Sequence, residues 1–243
     1  MTKDQLQGFY PKFLNIEKEN VEDLEKPDYN KEAILIELED NCISLAVYEI
    51  IINKNVNEAK KYFYKASQIA IYRQKNFGSE SNTSSNVFIG AHSFKWAILS
   101  DSAEMIKQFL SYKDDFLKTY SASFAKAIQA ALQNDQAKLA AEIELLKEYC
   151  SKGWEKAYVG CVNAFTGILK KEKKLLEKGL IELMEKHQQQ EHDAVVNGFM
   201  NLEAITLAKI AYRNGIEVSI ENKLLPKEMI PTEELKNYEK YNL

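Results

Sequence analysis

Residues 120–150 read YSASFAKAIQAALQNDQAKLAAEIELLKEYC. Phe124, Ala127, Ile128, Ala131 and Leu132 recur at the three-and-four spacing of one helical face. Asn134-Asp135 interrupts them, and Leu139, Ile143, Leu146 and Tyr149 then resume the spacing. The pattern predicts a helix over 120–133, a polar turn, and a second helix over 136–150. An Asn or Asp in such a turn caps the following helix by accepting a free backbone N–H. The unit is a helical hairpin.

The same unit recurs on both sides. A helix over about 87–99 carries Trp96, Ala97 and Leu99 and ends at Ser100-Asp101; its partner, 102–112, carries Met105, Ile106, Phe109 and Leu110. A further pair covers 154–169, with Ala157, Cys161, Ala164, Phe165 and Ile168, and 172–187, with Leu175, Leu176, Leu180, Leu183 and Met184. The leading helices end in AILSD, AALQND and GILKKE, with 33 residues from Leu99 to Leu132 and 37 from Leu132 to Leu169. A period near ~35 with two helices per unit is the spacing of α-solenoid repeats. Ala122, Ala125, Ala127, Ala130, Ala131, Ala140 and Ala141 are small enough for close helix packing. The tetratricopeptide consensus of fixed Trp, Gly, Tyr and Pro is absent. The fold class expected is therefore all-α: stacked antiparallel helical hairpins in an α-solenoid or TPR-like bundle.

Toward the N-terminus, Ala59, Phe63, Ala66, Ile69 and Ala70 place a helix over 56–76, and Asn53–Asn55 a turn before it. Another helix is expected over 31–53. Residues 3–26 read as one helix, or as two broken near Pro11. GSESNTSSN, 78–86, is a polar loop that can flexibly join an N-terminal helical unit to the repeat-like remainder. The flanks are alike in composition, so one domain over 1–243 is expected. Toward the C-terminus a helix over 200–213 closes at Asn214-Gly215, where glycine enters the left-handed region without Cβ strain. Residues 216–225 extend, Pro226 and Pro231 punctuate the tail, and Thr232-Glu233-Glu234-Leu235 suits the start of a short final helix.

Composition agrees. Nine Gly and four Pro in 243 residues are too few for a turn-rich β fold. A net charge of −4 gives no general affinity for nucleic acid or anionic membranes. No apolar cluster, Ile50-Ile51-Ile52 included, approaches a membrane span, and MTKDQLQGFYPKF lacks the apolar region of a signal peptide. Cys42, Cys150 and Cys161 form neither a CxxC pair nor a zinc spacing, and read as reduced core thiols of a cytoplasmic protein.

Chemistry-bearing patterns are few. His187 and His192, in HQQQEH, are five apart; a zinc helix needs four, so helical spacing turns them away from each other, and the stretch reads as a solvated helix end or turn. No ExxH pair suits a di-iron bundle. There is neither a GxSxG elbow nor a Gly-rich phosphate loop. Cys161 lies on an apolar face, and His92, beside the polar loop, could serve as a base, but a single His is not a site. Trp96 and Trp154 read as packing residues, and the Lys170–Lys174 cluster, diluted by Glu172 and Glu177, as solvent-facing polarity. No catalytic residue, metal ligand or cofactor is assigned.

Charge is uneven. From Glu17 to Asp40 ten acidic residues face only Lys18, Lys26 and Lys31. Such a segment is either a solvated helix face or a surface that draws in a basic partner. On the second reading Glu32, Glu37, Glu39 and Asp40 are the candidate partner-binding residues, Glu37 and Asp40 sharing a helix face and Glu39 pointing elsewhere.

Residues 192–231 read HDAVVNGFMNLEAITLAKIAYRNGIEVSIENKLLPKEMIP. Through Leu202, Glu203, Ala204, Leu207, Ala208, Lys209, Ala211, Arg213, Gly215, Pro226 and Glu228 this stretch resembles the C-terminal signature of the immunity protein 49 family of bacterial polymorphic toxin systems. The resemblance is firm over about forty residues and looser from about 88 onward. It implies a protein that neutralises a cognate toxin by binding, with no catalytic residues to carry over; the motif itself is structural. A helical-repeat scaffold or regulator binding some other protein is the alternative, with an enzyme behind it.

Overall fold

Among the described residues, four helices end on a residue in the left-handed region: Lys54, Asp101, Asn134 and Lys171, with φ of 54°, 59°, 57° and 56°. A reversed turn of this kind lets the next backbone N–H reach back across it, six residues from Asn55 to Glu49 and five from Asp135 to Ala130 and from Glu172 to Gly167. The following residue then caps a new helix at three of the four stops. Asn55, Ser102 and Asp135 accept from the N–H groups of Glu58, Met105 and Lys138. Each such cap contributes about 1 kcal/mol. The turns fall where SD, ND and KE interrupt the apolar periodicity.

The computed structural model describes residues 1–78, 89, 92–113 and 118–243. The 78–86 loop, save Gly78, lies outside them, as do 87, 88, 90 and 91 of the helix expected over 87–99. Helix accounts for 73% of the described residues, and no strand occurs among them. The fold is all-α, built from packed helix pairs. Two compact units form, one from 1–109, 194–199 and 233–243, the other from 110–193 and 200–232.

In the first unit α1 (Lys3–Leu24) pairs with α2 (Lys31–Tyr48), which continues through a π turn at Glu49–Asn53 and pairs with α3 (Val56–Phe77). Helix α4 (Phe94–Ser100) packs on α3, and α5 (Ala103–Ser111) begins in this unit. Pro11 lies within α1 without breaking it, and only Leu6 and Asn20 of that helix's 22 residues are buried. By contrast α2 buries twelve of its 18 residues.

In the second unit α6 (Tyr120–Gln133) pairs with α7 (Gln136–Tyr149), and α8 (Gly160–Lys170) with α9 (Lys173–Glu185). A 3-10 turn at Trp154–Tyr158 replaces the first part of the helix expected over 154–169. Helices α8 and α9 approach to backbone contact. A Cβ on Gly160 would land on the carbonyl of Gly179, one on Gly179 on the backbone of Ala164, and one on Gly167 on that of Leu176. Glycine is required there because the two backbones touch. Ala140 and Ala141, expected to aid packing, are exposed on α7.

Residues 194–199, for which the sequence pattern assigned no element, form α10 (Ala194–Phe199) and pack on α2 in the first unit. Helix α11 (Leu202–Arg213) follows in the second unit, with Asn201 as its cap, and ends at Gly215 with φ 78° as expected. Thr232–Leu235 is not helical. The N–H of Glu233 donates to Asp101 Oδ2, its carbonyl accepts from Lys60, and Glu234 accepts from the N–H of Ala103. These bonds commit the segment to neighbouring helices rather than to its own turn. The tail stays extended over the first unit as far as Tyr241, where Gln68 brackets it by accepting from its N–H and donating to its carbonyl. Tyr238 stacks on Tyr64 with ring centres 4.6 Å apart.

Candidate functional site

Helix α2 carries the four acidic residues singled out by charge. Its cap is Asn30, which accepts from the N–H of Ala33. Glu32, Ile36 and Asp40 follow at intervals of four and so form one line along the helix, with Ala33 and Glu37 beside it. Ala33, Ile36, Glu37 and Asp40 are exposed and Glu32 is half-buried. Ile36 leaves 41% of its surface in solvent.

Glu39 departs from this set. It points inward and is 4% exposed. Its Oε2 accepts from Arg73 Nη1 at 2.8 Å, and its Oε1 accepts from the Ser93 hydroxyl at 2.5 Å and the Trp96 indole N–H at 3.0 Å. A carboxylate tolerates burial only when its charge and lone pairs are met in this way. Glu39 thus ties α2 to α3 and α4 rather than facing a partner. Its burial follows from helical phase: it lies about 100° on from Leu38 and 100° back from Asp40. A second buried pair, Lys60 with Asp101 at 2.9 Å, ties α3 to the turn after α4.

In the second unit the HQQQEH run lies at a helix end with Gln188, Gln189 and Glu191 exposed, but His187 and Gln190 are buried and the histidines are not splayed. Helix α9 ends at Glu185, a 3-10 turn carries His187–Gln189, and the imidazoles of His187 and His192 lie against each other with centres 4.4 Å apart. The expectation that spacing separates them fails because the helix stops before it can impose its geometry. Gln190 donates to the carbonyls of Ala157 and Leu183, and Asn201 donates to Gln190 Oε1 at 2.7 Å. The Tyr158 hydroxyl accepts from the N–H of Glu191. Amide side chains carry donors and acceptors together, so this polar run pins loop backbone from inside. Among the described residues no group of three or more His, Cys, Asp or Glu is disposed to hold a metal.

All three cysteines are buried and unpaired with one another. Burial pushes the Cys42 thiol up to about 12, and that of Cys150 likewise to about 12. Neither is a thiolate near neutral pH. Trp96 is a packing residue inside the Glu39 cluster. Trp154 is half-exposed, its ring edge-on to Tyr120 and Tyr158. The cations Lys170, Lys171, Lys173 and Lys174 face solvent. No described helix is long and apolar enough to cross a membrane.

The residues that carry the C-terminal resemblance are structural. Every residue from Asn201 to Ala211 is buried, including Leu202, Glu203, Ala204, Leu207 and Ala208. Lys209, fully buried, donates to the carbonyl of Met229 at 2.8 Å, which fastens the segment after Pro226 against α11. Arg213 and Gly215 are exposed where the helix ends, and Pro226 is half-buried.

No curated protein and no solved structure matches the chain. A family model does: that of immunity protein 49, over residues 53–229. The match runs from the last residue of the π turn, through every hairpin of the second unit and α11, to the 3-10 turn fastened by Lys209, which is most of the molecule. On that extent the chain belongs to the immunity protein 49 family.

Proposed function

We propose that this protein is an immunity protein of a bacterial polymorphic toxin system, which binds a cognate toxin in the cytoplasm and neutralises it by occupying the toxin's surface. The observation that carries this reading is the family match over 53–229. Such an inhibitor needs a rigid, shaped surface and no chemistry of its own, no cofactor, and no nucleic-acid or membrane contact. The buried ion pairs and glycine-tight hairpins support it, because they hold surface residues in place before binding and so lower the entropy lost on association.

The experiment is co-expression. The toxin domain encoded beside this gene is induced in a bacterial host with and without this chain. Growth should cease without it and resume with it. A soluble, folded chain that leaves growth arrested overturns the proposal and favours a scaffold serving another partner.

A further inference from the structure

Of the nine large hydrophobic side chains exposed among the described residues, six lie within residues 1–36: Met1, Phe9, Leu14, Val21, Tyr29 and Ile36. An even spread would put one or two there. They are spread from the N-terminus over α1, the turn after it and α2, and most stand singly, which needs no explanation.

Ile36 is the most sharply placed. Its neighbours on the outward face of α2 are Glu32, Ala33, Glu37 and Asp40. The rest of that helix is held fast by α1, α3 and α10, with Glu39 locked inward by Arg73, Ser93 and Trp96. An apolar anchor with a charged rim on an immobilised helix is the anatomy of a protein-binding centre. The rim has one sign, so the surface it complements is basic.

Residues that fit a common family model are what members share, and shared residues cannot tell one toxin from another. The model begins at 53, so the α2 face lies outside it. We infer that the outward face of α2, Ile36 rimmed by Glu32, Glu37 and Asp40, docks a basic patch of the toxin and determines which toxin is recognised. This rests on the proposed function. The carboxylates accelerate encounter through a field that reaches roughly 8 Å at physiological salt, and Ile36 slows release by desolvating the centre.

The probe is the catalytically silenced toxin domain encoded beside this gene, with association and dissociation rates measured by surface plasmon resonance. Reversal by Glu37→Lys with Asp40→Lys should slow association at least about tenfold at about 50 mM salt, and the difference should shrink at about 500 mM. Neutralisation by Glu37→Gln with Asp40→Asn, nearly isosteric, should do the same more weakly, with circular dichroism showing that each variant keeps its helix content. Ile36→Ser should raise the dissociation rate about tenfold with little change in association. Glu144→Lys with Glu148→Lys, both exposed on α7, applies the same charge change elsewhere and should leave both rates within about twofold. Face variants that bind like wild type, or a control that slows association equally, overturn the inference while neutralisation stands. A wild-type chain that fails to bind this toxin removes the proposed function and the docking face with it.

Discussion

Two helical hairpins in this molecule are held together by opposite means. Between α2 and α3 the link is a buried charge, Glu39 meeting Arg73 at 2.8 Å with Ser93 and Trp96 completing the carboxylate's bonds. Between α8 and α9 the link is the absence of side chains: Gly160, Gly167 and Gly179 let the backbones touch. The first hairpin should therefore tolerate changes of volume better than changes of charge, and the second the reverse. Both make a stiff pair of helices, but each exposes a different weakness.

The largest effect is expected from breaking the charge link. Arg73→Met leaves the Glu39 carboxylate buried with only Ser93 and Trp96 as donors, and should lower stability by about 3 kcal/mol in denaturant unfolding. Adding Glu39→Gln should recover much of that loss, because an amide oxygen still accepts and no charge remains. A loss below about 1 kcal/mol for Arg73→Met would mean that the cluster does not hold α2 to α3.

Next comes the glycine contact. Gly179→Ala improves helix propensity by about 1 kcal/mol, yet its methyl group would fall on the backbone of Ala164. Overpacking of that kind should prevail, for a net loss of about 2 kcal/mol. Gly8→Ala sharpens the contrast, since nothing lies within 4 Å of its added Cβ, and it should gain up to about 1 kcal/mol. Thermal melting of the two variants checks both signs. Equal shifts would show that α8 and α9 are not in backbone contact.

The two hairpins also differ in how plainly their sequences announce them. Turns were legible wherever apolar periodicity met Ser-Asp, Asn-Asp or Lys-Glu, and so was the stop at Gly215, because capping and left-handed geometry depend on residues adjacent in sequence. Helix α6 begins and ends where its apolar pattern does. The glycine contact has its own sequence signal: Gly160 and Gly167 are seven apart, two turns along one face. Alanine drew attention instead, and Ala140 and Ala141 proved exposed. The fate of Glu39 was half legible, since helical phase set it apart from Glu37 and Asp40. Its three donors come from 34 to 57 residues away, which no local pattern reveals. The polar run 187–192 was half legible: Gln188, Gln189 and Glu191 are exposed as their polarity suggests, whereas Gln190, an amide that satisfies nearby carbonyls, is buried. Helix α10 and the extended tail were missed for the same reason: tertiary bonds, not local propensity, decide them.

The smallest effect concerns Glu49, in the π turn that leads α2 into α3, and tests whether burial of charge in this hairpin always comes with compensation. Glu49 is 4% exposed, yet only Asn53 Nδ2 is seen to donate to it, at 2.9 Å. Burial raises its carboxyl above the ordinary range, the Asn53 bond opposes this, and the nearby charge of Glu58 adds to it. A carboxyl with a raised value in the folded state is favoured by the fold when protonated. Its contribution is present below the unfolded value, about 4.3, and is lost as pH rises through the folded value. Glu49→Gln keeps an acceptor for Asn53 and removes the charge, so it should be the more stable protein at pH 7. The advantage should fade as pH falls into the range where the wild-type carboxyl takes up its proton. Subtracting the two stability curves between pH 4 and pH 8 cancels the other carboxylates, which both proteins share. A Glu49→Gln advantage that grows toward acid would mean that the fold favours the carboxylate, and that this hairpin, like the Glu39 cluster, fully compensates the charges it buries.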